Sequence, residues 1–305
     1  MKKLIIVTGM IILAACGAVK QKSLTSEDNT GQRAPASGLD QGQPAREPRV
    51  NQGQLNREAE INPDQLTGES VAIQDQLILA TLWYQKSAEM RALYYQCFRN
   101  AEIALAENLA WAGRTKPAAV VLDIDETLLD NSPFQGWQVT ENKAFNNQDW
   151  TRWVELARAE PLPGAVDFTR YADSIGVEVF YVSNRTVQEM GPTITNMAAL
   201  GFADADSVHM LLKEKTSSKV ERRALIEKDY EIILLVGDNL ADISGVYEKR
   251  SSDFGFDAVD ADRELFGTRY IVLPNPMYGN WLSELLKNTE GRTEREKLLK
   301  LLETF

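Results

Sequence analysis

After Pro117 the chain repeats one texture. Short apolar runs at 118–122, 177–182, 208–212, 232–236 and 270–273 are separated by helix-patterned stretches. Runs this short and this apolar read as strands buried on both faces, and strands alternating with helices build a parallel sheet covered by helices on each side. The predicted fold class is therefore α/β. In such sheets a ligand sits beyond the carboxyl ends of the strands, so the informative residues follow each run. Asp123 and Asp125 follow the first, Ser183, Asn184 and Arg185 the second, and Gly237, Asp238 and Asn239 the fourth.

Ahead of the sheet, a helical pattern at 71–111 predicts one long helix, with Ser70 as its cap and Gly113 as its stop. The stretch 131–164 carries Trp137, Trp150 and Trp153 and is too long for a plain connection. It reads as a small cap over the strand ends. A helical tail follows at 281–305, with Leu298, Leu299, Leu301 and Leu302. It packs against the domain or against a second copy in a homodimer, and the pattern leaves both open.

The first residues have the layout of a secretory signal over 1–15: Lys2 and Lys3, an apolar stretch, then small residues before Cys16. Leu13-Ala14-Ala15-Cys16 resembles the bacterial lipobox, which implies cleavage before Cys16 and a lipid on its sulfur. Gly17 in place of aspartate points to the outer membrane, where the lipid anchors without spanning. Residues 16–70 form a lipidated cysteine and a flexible polar tether, and 71–305 the folded domain. Once the signal is removed, Cys97 is the sole cysteine besides Cys16, so no intrachain disulfide is expected. A net charge of −11 excludes nucleic-acid polymers as partners. The same charge opposes an anionic substrate at long range, so a phosphate site needs local cations or a metal.

Asp123, Asp125 and Thr127 form an Asp-x-Asp-x-Thr motif at the end of the first run. Carboxylates two residues apart project to one side of an extended chain, and they repel unless a cation or a proton intervenes. Asp238 and Asp242 supply a second pair after the fourth run. Four carboxylates converging at one sheet edge call for a divalent cation, and hard oxygen ligands beside a phosphate suit Mg²⁺. Lys213, Lys215, Lys219, Arg222 and Arg223 lie between the third and fourth runs; one is expected to reach the phosphate and the others to be solvated. The single histidine, His209, reads as structural, which excludes a phosphohistidine enzyme with a histidine pair. No cysteine has an arginine six positions later, which excludes the cysteine-phosphate type.

The stretches VVLDIDETLLDNSPF and ILLVGDNLAD resemble the two signatures of the class C acid phosphatases, the bacterial lipoprotein 5′-nucleotidase type within the haloacid dehalogenase superfamily. GWQVTENKAF, DWTRWV, PLPGAVDF, VFYVSNR and LPNPMYGNW are also similar to its pattern. The departures are Phe134, where tyrosine is usual, and Ile243, where phenylalanine is usual. The resemblance implies a Rossmann-like parallel sheet and a phosphomonoesterase acting through an aspartyl phosphate. Asp123 is then the nucleophile and Asp125 the proton carrier. Mg²⁺ is held by Asp123, the Asp125 backbone carbonyl and Asp238, with Asp242 nearby. Ser183 bonds the phosphoryl oxygens. Lys219 compensates charge, with Lys213 and Lys215 as the other candidates. Trp150 and Tyr278 would sandwich a nucleobase, with Asn131, Phe134, Asn184 and Arg185 on the substrate side. The implied substrates are nucleoside monophosphates and related small phosphate esters. The reading from another class is a surface ligand-binding lipoprotein, for example for haem, that uses the fold as a scaffold.

Overall fold

The computed structural model describes residues 68–111, 113–250 and 253–305; the expected signal, Cys16 and nearly all of the tether lie outside them. Helix α1 spans Gly68–Lys86 and α2 spans Ala88–Ala110. The single long helix expected from sequence is thus two, and Ser70 lies inside α1 rather than capping it. The break is at Ser87, whose hydroxyl accepts from the Met90 N–H at 3.1 Å and starts α2 afresh. From there Met90, Tyr94, Phe98, Ala101 and Leu105 recur every three or four residues and form the buried face of α2.

The strands are β1 (Ala118–Leu122), β2 (Leu129–Asp130), β3 (Glu160–Pro161), β4 (Glu178–Thr186), β5 (Met210–Lys213), β6 (Glu231–Gly237) and β7 (Tyr270–Val272). Between and after them lie α3 (Ser132–Thr140), α4 (Asn147–Glu155), α5 (Ala165–Ser174), α6 (Met190–Leu200), α7 (Val220–Ile226), α8 (Leu240–Ile243), α9 (Phe256–Ala261), α10 (Asn280–Asn288) and α11 (Glu294–Leu301). Five strands make one parallel sheet in the order β5-β4-β1-β6-β7. Strand β1 is central and all five of its residues are buried. Its side chains alternate between two cores. Val120 and Leu122 join Phe98, Phe168 and Tyr181, whereas Ala119 and Val121 join Phe180, Val182 and Ile226. Each fully buried Val or Leu contributes about 1.5–3 kcal/mol, and a charge placed at Val121 would have no partner there.

The cap expected at 131–164 is an insertion carrying α3 and α4. Strands β2 and β3 pair antiparallel at its two ends and close it off from the main sheet. The tail is helical as expected but broken, with α10 and α11 linked by Lys297 Nζ donating to the Leu286 carbonyl at 2.9 Å. Among the described residues no helix is long and apolar enough to cross a membrane.

Candidate active site

The backbone leaves the sheet immediately after β1. The Asp123 N–H makes a last strand-like bond to the Val236 carbonyl at 3.0 Å, and the Ile124 carbonyl then accepts from Leu128 and Leu129 at 2.8 and 2.9 Å. This tight turn brings Asp123 and Asp125 into one cavity of about 920 Å³, which Trp150, Lys219, Asp242 and Tyr278 also line. Thr127 explains the last letter of its motif. Its hydroxyl donates to Asp238 Oδ1 at 3.2 Å and accepts from the Asp238 N–H at 3.0 Å, so the β1 turn holds the β6 turn.

At the end of β6, Asn239 caps the short α8 and Asp242 returns a bond to the Asn239 N–H at 3.0 Å. A Cβ on Gly237 would lie 2.5 Å from the Asp242 Cβ, so only glycine lets Asp242 fold back over the strand end. Asn275 Nδ2 donates to Asp238 Oδ2 at 2.9 Å from the segment after β7.

Asp123, Asp238 and Asp242 thereby present ligand atoms within 4.8 Å of one another. Lys219, 3 % exposed, bonds Asp123 Oδ1 and lies 2.7 Å from Asp242 Oδ1. Burial raises the Asp123 pKa to about 7; Lys219 opposes the rise, and Asp242 and Asp125 add to it. Burial first, then Asp242 and Asp123, push Asp238 well above the carboxylate range, against Asn275 and Lys219. For Lys219 burial works downward, but Asp123 and Asp242 prevail and its pKa is raised. With all three ionised, the carboxylates exceed the one ammonium by two negative charges, and the raised pKa values of Asp123 and Asp238 reflect that crowding. That deficit and the all-oxygen donor set fit a hard divalent cation.

Asp125 faces a different set of partners. Its Oδ1 accepts from Arg185 Nε at 2.9 Å, Arg185 Nη2 at 2.8 Å and Asn131 Nδ2 at 2.9 Å. Its Oδ2 has one longer bond, from the Ser183 hydroxyl at 3.3 Å. Asn131, Ser183 and Arg185, expected on the substrate or phosphoryl side, are at most 2 % exposed and bond Asp125, and Arg185 also lines the cavity. Asn131 also accepts from Trp153 Nε1 at 2.8 Å, which ties the cap to Asp125. Asn184 is exposed beside the cavity, with Oδ1 accepting from Arg222 at 2.8 Å.

Trp150 comes from α4 and Tyr278 from the segment after β7, and both line the cavity. The Arg185 guanidinium lies 5.7 Å from the Trp150 ring centre. Phe134, expected to shape the slot, is buried behind it, edge-on to Trp150 at 5.3 Å and stacked on Trp137 at 5.7 Å. It packs the cap; it does not line the cleft.

Two expectations for the basic run need correction. Arg222 and Arg223 are buried, not solvated. Arg222 bonds the carbonyls of Ser183, Ser217 and Ser218, and Arg223 bonds the Asp242 carbonyl at 2.6 Å. A run of five cations gives no sign of which ones find carbonyls. Lys213 lines the cavity, but Lys219 is the lysine at Asp123. His209 lies just before β5 and is clasped by carboxylates away from this cavity. Asn275, Trp153 and Glu126 escaped sequence reasoning. Only Glu126, inside the Asp-x-Asp-x-Thr motif, carried a signal by position.

The model of the family described as HAD superfamily, subfamily IIIB (Acid phosphatase), matches residues 48–281. The class C acid phosphatase from Bacillus anthracis is similar in structure, with TM-score 0.71 and 38% identity over 76% of this chain and 99% of that one. The same enzyme with tungstate bound gives TM-score 0.70 at 38% identity, covering 76% of this chain and 98% of that one. Acid phosphatase 1 of Solanum lycopersicum is 28% identical over 52% of this chain and 57% of its own length. A stem 31 kDa glycoprotein of Glycine max is 26% identical over 52% and 58%. The chain thus spans little more than half the length of these plant relatives.

Proposed function

Since the chain belongs to the subfamily IIIB acid phosphatases of the HAD superfamily, we propose that it is a phosphomonoesterase working in the Asp123 cleft. The observation that carries this reading is the meeting of Asp123, Asp238 and Asp242 around one buried lysine, two positive charges short of balance once all three are ionised. A phosphate ester brings more negative charge, so reaction there needs a divalent cation. Asp123, Asp238 and Asp242 would hold Mg²⁺, and the family resemblance adds the Asp125 backbone carbonyl. When bound, the ion offsets charge on the transferred phosphoryl group. Tungstate in the Bacillus anthracis relative, an oxyanion shaped like phosphate, supports the same class of ligand.

The protein's own groups divide the work. An Asp123 oxygen attacks phosphorus as the bond to the leaving alcohol breaks, which gives an aspartyl phosphate. Asp125 Oδ1 is taken by Arg185 and Asn131, so Oδ2 is the oxygen that hands a proton to the departing alcohol. Oδ2 then takes a proton from the water that opens the aspartyl phosphate, releasing phosphate and restoring Asp123. Ser183, whose hydroxyl donates to Asp125 Oδ2, would bond the phosphoryl oxygens. Lys219 steadies Asp123 and the incoming phosphate. Trp150 and Tyr278 would stack a nucleobase, which favours nucleoside monophosphates without choosing among bases. A lipid on Cys16 would hold the enzyme at a bacterial outer membrane.

Phosphate release from nucleotides and simple esters, with and without chelator, tests the reading. Mg²⁺ should restore activity after chelation, and Asp123→Asn should lower kcat by at least about 10³-fold. Release indifferent to chelation, or full turnover by the variant, would overturn it.

A further inference from the structure

Glu126 is the motif residue whose carboxyl has no part in this chemistry. It has no exposed surface, and its backbone has φ 56°, a left-handed conformation that an ordinary side chain enters unfavourably. Burying a carboxyl is unfavourable as well unless its oxygens are bonded. Oε1 accepts from the Asn131 N–H at 2.8 Å and Oε2 from the Tyr278 hydroxyl. The Glu126 carbonyl accepts from the Tyr94 hydroxyl at 2.5 Å and from Tyr84 at 3.4 Å, while its N–H donates to the Leu129 carbonyl at 3.0 Å. Separate parts of the chain therefore meet on one residue of the Asp123 turn: α1 and α2 through their tyrosines, the cap entrance through Asn131, and the segment after β7 through Tyr278. Tyr94 also bonds the Pro274 carbonyl at 3.3 Å, four residues before Tyr278.

The Tyr278 ring lines the cleft while its hydroxyl is held by the turn that carries Asp123. A ring fixed at its backbone and at its far end keeps one distance and one tilt relative to the nucleophile. We propose that Glu126 is a positioning residue that sets the reach from Asp123 to the Tyr278 ring, so that the turn selects phosphate esters carrying a flat aromatic group at that reach over short alkyl esters. This rests on the stacking reading of Tyr278 but asks for more. Stacking needs only a ring, whereas positioning needs the phenol hydroxyl and the carboxyl that holds it. A wall ordered in advance spares the substrate the loss of freedom that ordering would entail.

The readout is the ratio of kcat/KM for a nucleoside monophosphate to kcat/KM for ethyl phosphate, measured on the Mg²⁺-loaded full chain. A change in the fraction of folded enzyme moves both terms alike and leaves the ratio in place. Tyr278→Phe, which keeps the ring, and Glu126→Ala should each lower the ratio about fivefold, mainly through nucleotide KM. Glu126→Gln offers an oxygen to Asn131 and an amide N–H to Tyr278, and should return the ratio to within about twofold of wild type. Trp150→Ala and Tyr278→Ala gauge stacking itself and should lower the ratio about tenfold. If Trp150→Ala and Tyr278→Ala lower the ratio but Tyr278→Phe and Glu126→Ala do not, the positioning role is overturned and stacking stands. If Trp150→Ala and Tyr278→Ala also keep the wild-type ratio, stacking falls and the positioning role falls with it. Should Glu126→Ala fail to fold, Tyr278→Phe decides alone.

Discussion

The two ends of the sheet's strands carry charged clusters built from similar residues, and they behave differently. Before β4 and β5, His209 Nδ1 lies 2.9 Å from Asp206 Oδ1 and Nε2 lies 3.1 Å from Glu178 Oε2, with Asp204 close by. Beyond β1 and β6, Asp123, Asp238 and Asp242 gather around Lys219. The difference is water. Glu178 and Asp206 side chains are 42 and 54 % exposed, against 9 % for Asp123 and 3 % for Lys219. Solvent weakens the repulsion in the first cluster, and a proton on one imidazole suffices to hold it. In the second, burial leaves a deficit that one lysine cannot fill. Similar residue types clasp a loop where water reaches them and crowd like charges together where it does not.

Breaking the buried cluster should have the largest effect. Asp238→Asn removes one of three carboxylates around the deficit and should lower kcat/KM about 10³-fold, with much of the loss recovered at high Mg²⁺. Lys219→Met should lower it about 10²-fold and leave the substrate requirement for Mg²⁺ in place, as steady-state kinetics over a Mg²⁺ series would show. The Asp123 pKa, raised to about 7, makes cation binding release protons. With Asp238 raised as well, Mg²⁺ affinity measured by calorimetry should fall by about tenfold or more per pH unit between about pH 7 and pH 5.

The exposed cluster should give the smallest effect and the opposite pH trend. Burial lowers the His209 pKa, but Asp206, Asp204 and Glu178 outweigh it and leave it raised. A raised folded pKa stabilises fully below the unfolded value of about 6.5 and loses that stabilisation as pH climbs through the folded value. The charged groups around the ring are Asp204, Asp206 and Glu178, with Phe180 against its face. His209→Gln should lower Tm by about 1–2 °C near pH 5.5 and by less near pH 8.

Much of the scaffold was legible because apolar runs and strand ends obey local rules. The run 118–122 coincides with β1, and Asp123, Asp125 and Asp238 follow their strands as the parallel-sheet rule requires. Pairing the two acidic turns was legible too, since charge repulsion demands a common cation. Side-chain direction was not. Ser183, Asn131 and Arg185 lie at the expected edge, but which way each points depends on Asp125 and on the cap helix. Arg222 and Arg223 look like surface charges until the fold brings carbonyls to them. Ser87 breaks a helical pattern whose apolar positions run through it without interruption.

The most direct test of the account is a rapid acid quench during turnover of a phosphate ester with Mg²⁺, followed by peptide mass spectrometry. One added phosphoryl group is expected on the peptide containing Asp123, labile to hydroxylamine and absent in Asp123→Asn. Turnover at a normal rate with that peptide unmodified, and with inversion at phosphorus when an isotopically chiral thiophosphate ester is hydrolysed in labelled water, would contradict it.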